Sequence, residues 1–337
     1  MKIAVRYTLY KLYMMDAALA QEPTQHGDDF FERMAARLGR ENLAVRMRKQ
    51  VALAAYMATQ GKGFFSLERR VDIEKWMRRI IKCSGLWSRG HSNYLDIRLE
   101  ENKVRLVNLP PAFEGYRILH IADLHTDLDP ELPAAVIQAL EGLEYDICIN
   151  TGDFRNRTRE CHLASIRETR RIYEHVHGPK VGVLGNHDFI EKADSLEQMG
   201  IRLLLNENLA IEKNGERLWL VGVDDPDYYQ SHDFIRALKG VPADACKLLL
   251  AHTPEVYPEA EQMGFAYQFS GHTHGGQICL PGSFPLITHT GAPTAFCSGP
   301  WRHGTLQGYT SRGTGGGCVP VRFNCPAEIT LHTLTKA

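Results

Sequence analysis

The chain has 337 residues, 44% of them apolar and 23% charged, and a formal net charge of −1. Such a composition belongs to a globular protein with a sizeable core, and its charge gives no overall attraction to nucleic acid, so no nucleic-acid partner is expected. The eight cysteines form no C-x-x-C pair, and several lie inside apolar runs, as Cys148 does in "YDICIN"; reduced, packed thiols of this kind imply a cytoplasmic location.

The opening segment "MKIAVRYTLYKLYMMDAALAQ" begins with a basic residue and ends near Ala18-Leu19-Ala20, which invites comparison with a secretory leader. Lys11 and Asp16 interrupt the apolar centre that a leader needs, so a short helix is expected instead. No uninterrupted apolar stretch reaches about eighteen residues, the length that would suggest a membrane span. Residues 1–93 as a whole are rich in Ala, Met, Arg and Leu and form a helical region. In "SLERRVDIEKWMRRIIKCSG", Ile73, Trp76, Met77, Ile80 and Ile81 recur along one face of a helix, with Ser66 placed to cap its start and Gly85 its end. Arg69, Arg70, Lys75, Arg78, Arg79 and Lys82 line the other face. Two readings follow. The stripe packs on the rest of the protein, or the helix lies on an anionic bilayer and makes the protein peripheral on the inner membrane face.

After "LVNLPPAFEG" the pattern changes, and residues 94–337 read as a second, larger domain. Short β-rich runs ("YRILHIAD", "YDICINTGD", "KVGVLGNHD", "RLWLVGVDD", "KLLLAHTP", "YQFSGHTH") alternate with helix-length segments such as "ELPAAVIQALEGL" and "ECHLASIRETRRIYEHV". Strands alternating with helices imply a layered α/β domain.

Five of these runs end in residues that bind metals. They supply Asp123 and His125, then Asp153, then Asn186 and His187, then His252, and finally His272 and His274 in "SGHTHGG". Sites in α/β sheets gather at the carboxyl ends of strands, so residues far apart in sequence can converge there. The donors are oxygen and imidazole without thiolate, which suits a catalytic centre rather than a structural zinc site. So many candidate ligands exceed what one tetrahedral ion takes and match two divalent ions sharing a carboxylate, with manganese the first expectation and zinc, iron or magnesium as alternatives. Such a pair activates water and polarises a phosphoryl oxygen. With only two carboxylates the site keeps surplus positive charge, which favours a phosphate-ester substrate.

The segments "DLH", "GD", "GNHD", "AH" and "GHTH", in this order and spacing, resemble the calcineurin-like metallophosphoesterases. The ending "SRGTGGGCVPVRFNCPAEITLHTL" is similar to the bacterial branch that includes the YkuE and YaeI phosphoesterases. The resemblance implies an α/β fold in which a two-sheet β-sandwich is flanked by helices, here with an N-terminal helical extension. It implies a binuclear centre: Asp123, His125 and His274 on the first metal, Asn186, His252 and His272 on the second, and Asp153 bridging. His187 would contact the phosphate and protonate the leaving group, with Asp188 orienting its ring. The implied reaction is hydrolysis of a phosphodiester or pyrophosphate by a metal-bound hydroxide. Its substrate would be a small phosphate ester or a lipid, and UDP-2,3-diacylglucosamine is one lipid-linked example. Two positions depart from the branch, Thr126-Asp127 and Phe154-Arg155. Arg155 is either a phosphate clamp or a surface arginine paired with an acid such as Asp127. Gly275 and Gln277 are expected beside the ions and the substrate.

The glycine-rich Gly313–Gly317 lacks the strand–helix setting of a dinucleotide loop and is expected near the metal edge. His120 is expected to pack in the core. "VGVDDPDYY" is either a wall of the substrate cleft or a plain turn. A different kind of function, a catalytically silent metal-binding scaffold that recruits partners through its N-terminal helices, would be expected to have lost ligands that this chain retains.

Overall fold

Along each apolar run, successive side chains leave on opposite sides of the strand, and both sides are buried. On strand β2 (Arg117–Ile121), Ile118 enters one apolar cluster while Leu119 and Ile121 enter another. A strand with cover on both faces needs a continuous apolar run, which is what marks it in the sequence. The computed structural model describes residues 26–59, 73–156, 162–288 and 290–337; the expected leader-like helix and the cap at Ser66 lie outside them.

Four helices open the described chain: α1 (His26–Leu38), α2 (Arg40–Thr59), α3 (Ile73–Cys83) and α4 (Trp87–Leu95). The first sheet contains β1 (Arg98–Leu106), β2, β3 (Ile147–Asn150), β4 (Lys180–Gly182), β5 (Ile201–Leu203) and the last strand of the chain, Glu328–Lys336, in the order β1, last strand, β2, β3, β4, β5. Helices α5 (Leu132–Leu140), α6 (Leu163–Tyr173) and α7 (Ala193–Glu197) connect its parallel strands. The second sheet contains β6 (Glu207–Lys213), β7 (Glu216–Gly222), β8 (Lys247–Leu250) and β9 (Tyr267–Ser270), with α8 (Phe234–Ala237) and α9 (Tyr257–Gln262) as its connections. A small hairpin, β10 (Cys279–Leu280) and β11 (Phe284–Pro285), precedes β12 (Gly299–His303) and β13 (Leu306–Thr310), which complete the second sheet; the last strand is β14.

The two sheets face each other over Ile118, Ile149, Val183, Leu248, Leu250 and Phe269. Helices cover the outer face of each, so the layers run helix, sheet, sheet, helix. This is the expected sandwich. Strands β2, β3 and β4 run parallel in one sheet, and β7, β8 and β9 run parallel in the other. Their carboxyl ends bring the five motif segments together at one edge.

The N-terminal helices do not form a core of their own among the described residues. Met34, Leu38 and Leu43 lie in the same cluster as Leu119, Ile121 and Leu132. Helix α3 ends as expected, with Gly85 at φ +74° and its N–H donating to the Lys82 carbonyl. Its apolar stripe is less covered than the packing reading required: Trp76 is 51% and Ile80 62% exposed.

His120 sits wholly buried between the sheets, bonded to Thr151 Oγ1 at 3.0 Å and beside the equally buried His332. Burial pushes the His120 imidazole down to about 3. The folded pKa lies below the unfolded one, so the contribution to stability is complete above about pH 6.5 and declines as pH falls towards 3, where only the unfolded chain takes up the proton. A series of urea midpoints across that range should therefore show stability falling with acid. His120→Gln should flatten the slope, and an unchanged slope would remove His120 from the account.

Candidate metal centre

The loop after each strand turns sharply to point its ligand inward. Asp123, His125, Asp153, His272 and His274 all hold positive φ, between 44° and 70°. That conformation is costly for residues with a side chain and persists where the surroundings enforce it, commonly at functional sites. Glycines make the required room. A Cβ on Gly271 would stand 2.8 Å from Asp123 Oδ2, and one on Gly185 would stand 2.7 Å from Asp153 N. This accounts for glycine in "GHTH" and "GNHD".

The expected ligands meet in two groups. Asp123, His125 and His274 place one ligand atom each within 4.8 Å of one another, and so do Asp153, His252 and His272. Asn186 joins the second group, its Oδ1 2.9 Å from His252 Nε2 and 3.1 Å from His272 Nδ1. Asp153 stands between the groups, with Oδ2 3.5 Å from His125 Nε2 and 3.4 Å from His252 Nε2. Its Oδ1 accepts the His187 N–H at 2.9 Å.

Backbone carbonyls choose which imidazole nitrogen faces inward. His125 Nδ1 donates to the Arg155 carbonyl at 2.7 Å, and His252 Nδ1 donates to the Thr151 carbonyl at 2.8 Å. Both Nε2 atoms are thereby turned towards the centre, where a cation would bind. Burial pushes His125 down to about 4 and holds His274 well below the usual imidazole range, so each is a neutral donor at neutral pH. Burial works against the charge on Asp153, but His252, His187 and His125 hold its carboxyl well below the usual range. Burial raises Asp123 to about 7. His252 is opposed by burial yet lifted to about 10 by Asp153 and Asp123. Convergent lone pairs, two carboxylates and no thiolate fit a pair of divalent cations with a preference for nitrogen and oxygen.

The remaining site residues divide. The His187 ring stands 5.0 Å from that of His125, outside both groups, and its Nδ1 donates to the Asn156 carbonyl at 2.9 Å. Asp188 does not orient that ring, contrary to expectation. Its carboxylate accepts from Phe154 N, Gly185 N and Lys192 Nζ, and so fixes the loop instead. Arg155 is not a surface residue. It is 1% exposed, with its guanidinium 4.1 Å from the centre of the Phe189 ring and Nε donating to the His187 carbonyl at 2.8 Å. Asp127 accepts from Asn156 N. Gln277 spends its amide on the glycine-rich loop, donating to the carbonyls of Gly317, Val319 and Val321 and accepting from Gly317 N. Gly275 is buried against Arg312 and Cys325. Both therefore shape the loop that carries His274.

Three contributors escaped the sequence reading. Asn156 and Thr151 act through backbone carbonyls, which residue identity does not display. Arg322 is buried and donates to the carbonyls of Arg312, Gly313, Gly315 and His274, which wraps the glycine-rich loop around the first group. An arginine within the apolar run "VPVRFNC" was the available signal. Asp227, in "VGVDDPDYY", has Oδ2 4.0 Å from His272 Nε2, so that segment does border the site.

The family model described as calcineurin-like phosphoesterase matches residues 116–276, which hold all seven candidate ligands. The metallophosphoesterase YkoQ of Bacillus subtilis is 26% identical over 255 residues, covering 73% of this chain and 93% of that one. The metallophosphoesterase YkuE of the same organism is 27% identical over 266 residues, covering 73% and 89%. The phosphodiesterase YaeI of Escherichia coli is 26% identical over 231 residues, covering 65% and 82%. With the candidate ligand loops matched in order and their side chains gathered at one sheet edge, residues 116–276 form a calcineurin-like phosphoesterase domain, and the chain's relatives mark it as a hydrolase of phosphoric esters.

Proposed function

We propose that this protein hydrolyses a phosphodiester or pyrophosphate bond, with Asp123, His125 and His274 holding one divalent cation and Asn186, His252 and His272 a second. The observation that carries this reading is the position of Asp153, whose Oδ2 lies within 3.5 Å of a ligand nitrogen from each group. When bound, such a pair of cations activates water and neutralises charge on the phosphoryl oxygens. The oxygen and imidazole donors favour manganese, with zinc, iron and magnesium as alternatives. His187, held by Asn156 through Nδ1, keeps Nε2 for the leaving oxygen and delivers a proton to it.

For the substrate we favour a lipid-linked or nucleotide-sugar pyrophosphate of the UDP-2,3-diacylglucosamine kind, met at a membrane surface. The support is exposed apolar side chains. Beside the metal loop, Phe284 is 63% exposed on a hairpin whose Pro285 packs against Gly276, and Ile287, just after that hairpin, is 61% exposed; elsewhere Trp76 and Ile80 are exposed on α3. Among the described residues no helix is long and apolar enough to cross a bilayer. A panel of monoester, diester, nucleotide-sugar and lipid pyrophosphate substrates, each with Mn, Zn, Fe and Mg, tests both levels. Chelated protein should be inactive on every substrate and recover with the preferred ion. Phe284→Ser with Ile287→Ser should raise KM for the lipid substrate alone. Equal effects on a soluble diester would rule out the lipid reading and leave the phosphoesterase reading intact.

A further inference from the structure

The loop that carries His187 is fastened from two sides. On the metal side, its backbone N–H donates to Asp153 and its ring to the Asn156 carbonyl. On the other side it meets helix α2, which lies before the residues matched by the family model. Arg46 and Gln50 are one turn apart on α2 and therefore share a face. Gln50 Oε1 accepts the Ile190 N–H at 3.0 Å, and its Nε2 donates to Glu191 Oε2 at 3.1 Å. Arg46 is fully buried. One arm of its guanidinium donates to Asp224 Oδ1 at 2.6 Å and the other to the carbonyl of Asp188, the residue after His187. The plane of the group lies over Tyr229, 4.1 Å from the ring centre.

Asp224 is itself a fixed point. Its other oxygen accepts from Ser231 Oγ at 2.5 Å, and its N–H donates to Asn206 Oδ1 at 3.0 Å. Arg46 thus ties the His187 loop to the loop that carries Asp227, the carboxylate facing His272. A planar fork can hold two acceptors in fixed relative positions, whereas an ammonium acts as a single point charge. Burying a guanidinium is expensive, so a buried arginine at this junction fits a geometric task better than a stabilising one.

We infer that Arg46 is a positioning residue, through which the N-terminal helical extension sets where His187 stands against the leaving group. The inference rests on the reading of His187 as proton donor given above.

Two phosphodiesters test it, one releasing a nitrophenol and one an alkanol, since only the alkanol needs protonation to leave. Arg46→Lys keeps a charge against Asp224 but loses the fork. It should lower kcat on the alkyl ester by about tenfold or more and on the nitrophenyl ester by less than about threefold, with KM unchanged. In a His187→Ala background the same substitution should cost nothing further. Backbone amides of residues 185–190 should also exchange hydrogen faster in the metal-free variant. Gln50→Met, which removes the Ile190 and Glu191 contacts and leaves Arg46 in place, should give the same pattern in smaller measure and covers the case in which Arg46→Lys folds poorly. Equal losses on both esters, or an undiminished loss without His187, would overturn the inference. If His187→Ala alone shows no dependence on the leaving group, the proton-donor reading is what fails, and amide exchange still decides whether Arg46 holds the loop.

Discussion

Asp153→Asn is expected to abolish turnover and to lower the bound metal content. The carboxylate lies between the two ligand groups, and the neighbouring imidazoles keep it ionised against the effect of burial. Asparagine retains an oxygen for the His187 N–H, so the loop keeps its anchor. What changes is the atom facing His125 and His252. A donor amide replaces an anionic oxygen, and Asp123 becomes the only carboxylate among the seven ligands. Two cations would then face one negative charge, with no shared carboxylate to hold them as a pair. Elemental analysis after dialysis, together with a turnover assay, measures both effects. Full turnover by the variant would remove Asp153 from the centre of the account.

His187→Ala is expected to separate chemistry from metal binding. The ring belongs to neither ligand group and is held by a backbone carbonyl, so its loss should leave metal content unchanged. Turnover should fall by about a hundredfold to ten-thousandfold, the range expected for a lost general acid. The fall should be greatest for alkyl leaving groups and small for a nitrophenolate. A drop in metal content together with activity would instead make His187 a structural support of the centre.

The convergence of the candidate ligands was legible because each closes an apolar run, and parallel strands deliver their carboxyl ends to one edge whatever the intervening chain contains. The two-sheet arrangement was legible through the family likeness of those same segments. Residues acting through the backbone were hidden. Asp188 was the natural candidate to orient His187 because its side chain is adjacent, but the ring is held by the carbonyl of Asn156, thirty-one positions away. Gln277 looked like a substrate contact because it follows the histidine loop, yet its amide is fully engaged by the glycine-rich loop. Arg46 carried no local signal at all. Its partners are 142 and 178 positions distant, and only tertiary packing makes them neighbours. The stripe on α3 shows the limit of periodicity: it identified the helix and its end, but not which side the fold would cover.

The reading depends most on side chains from both sheets building one centre around a shared carboxylate. Anomalous diffraction from crystals of the manganese-loaded protein tests this directly. Two peaks are predicted, one beside Asp123, His125 and His274 and the other beside Asn186, His252 and His272, with Asp153 touching both. A single ion, or a pair that Asp153 does not join, would contradict it.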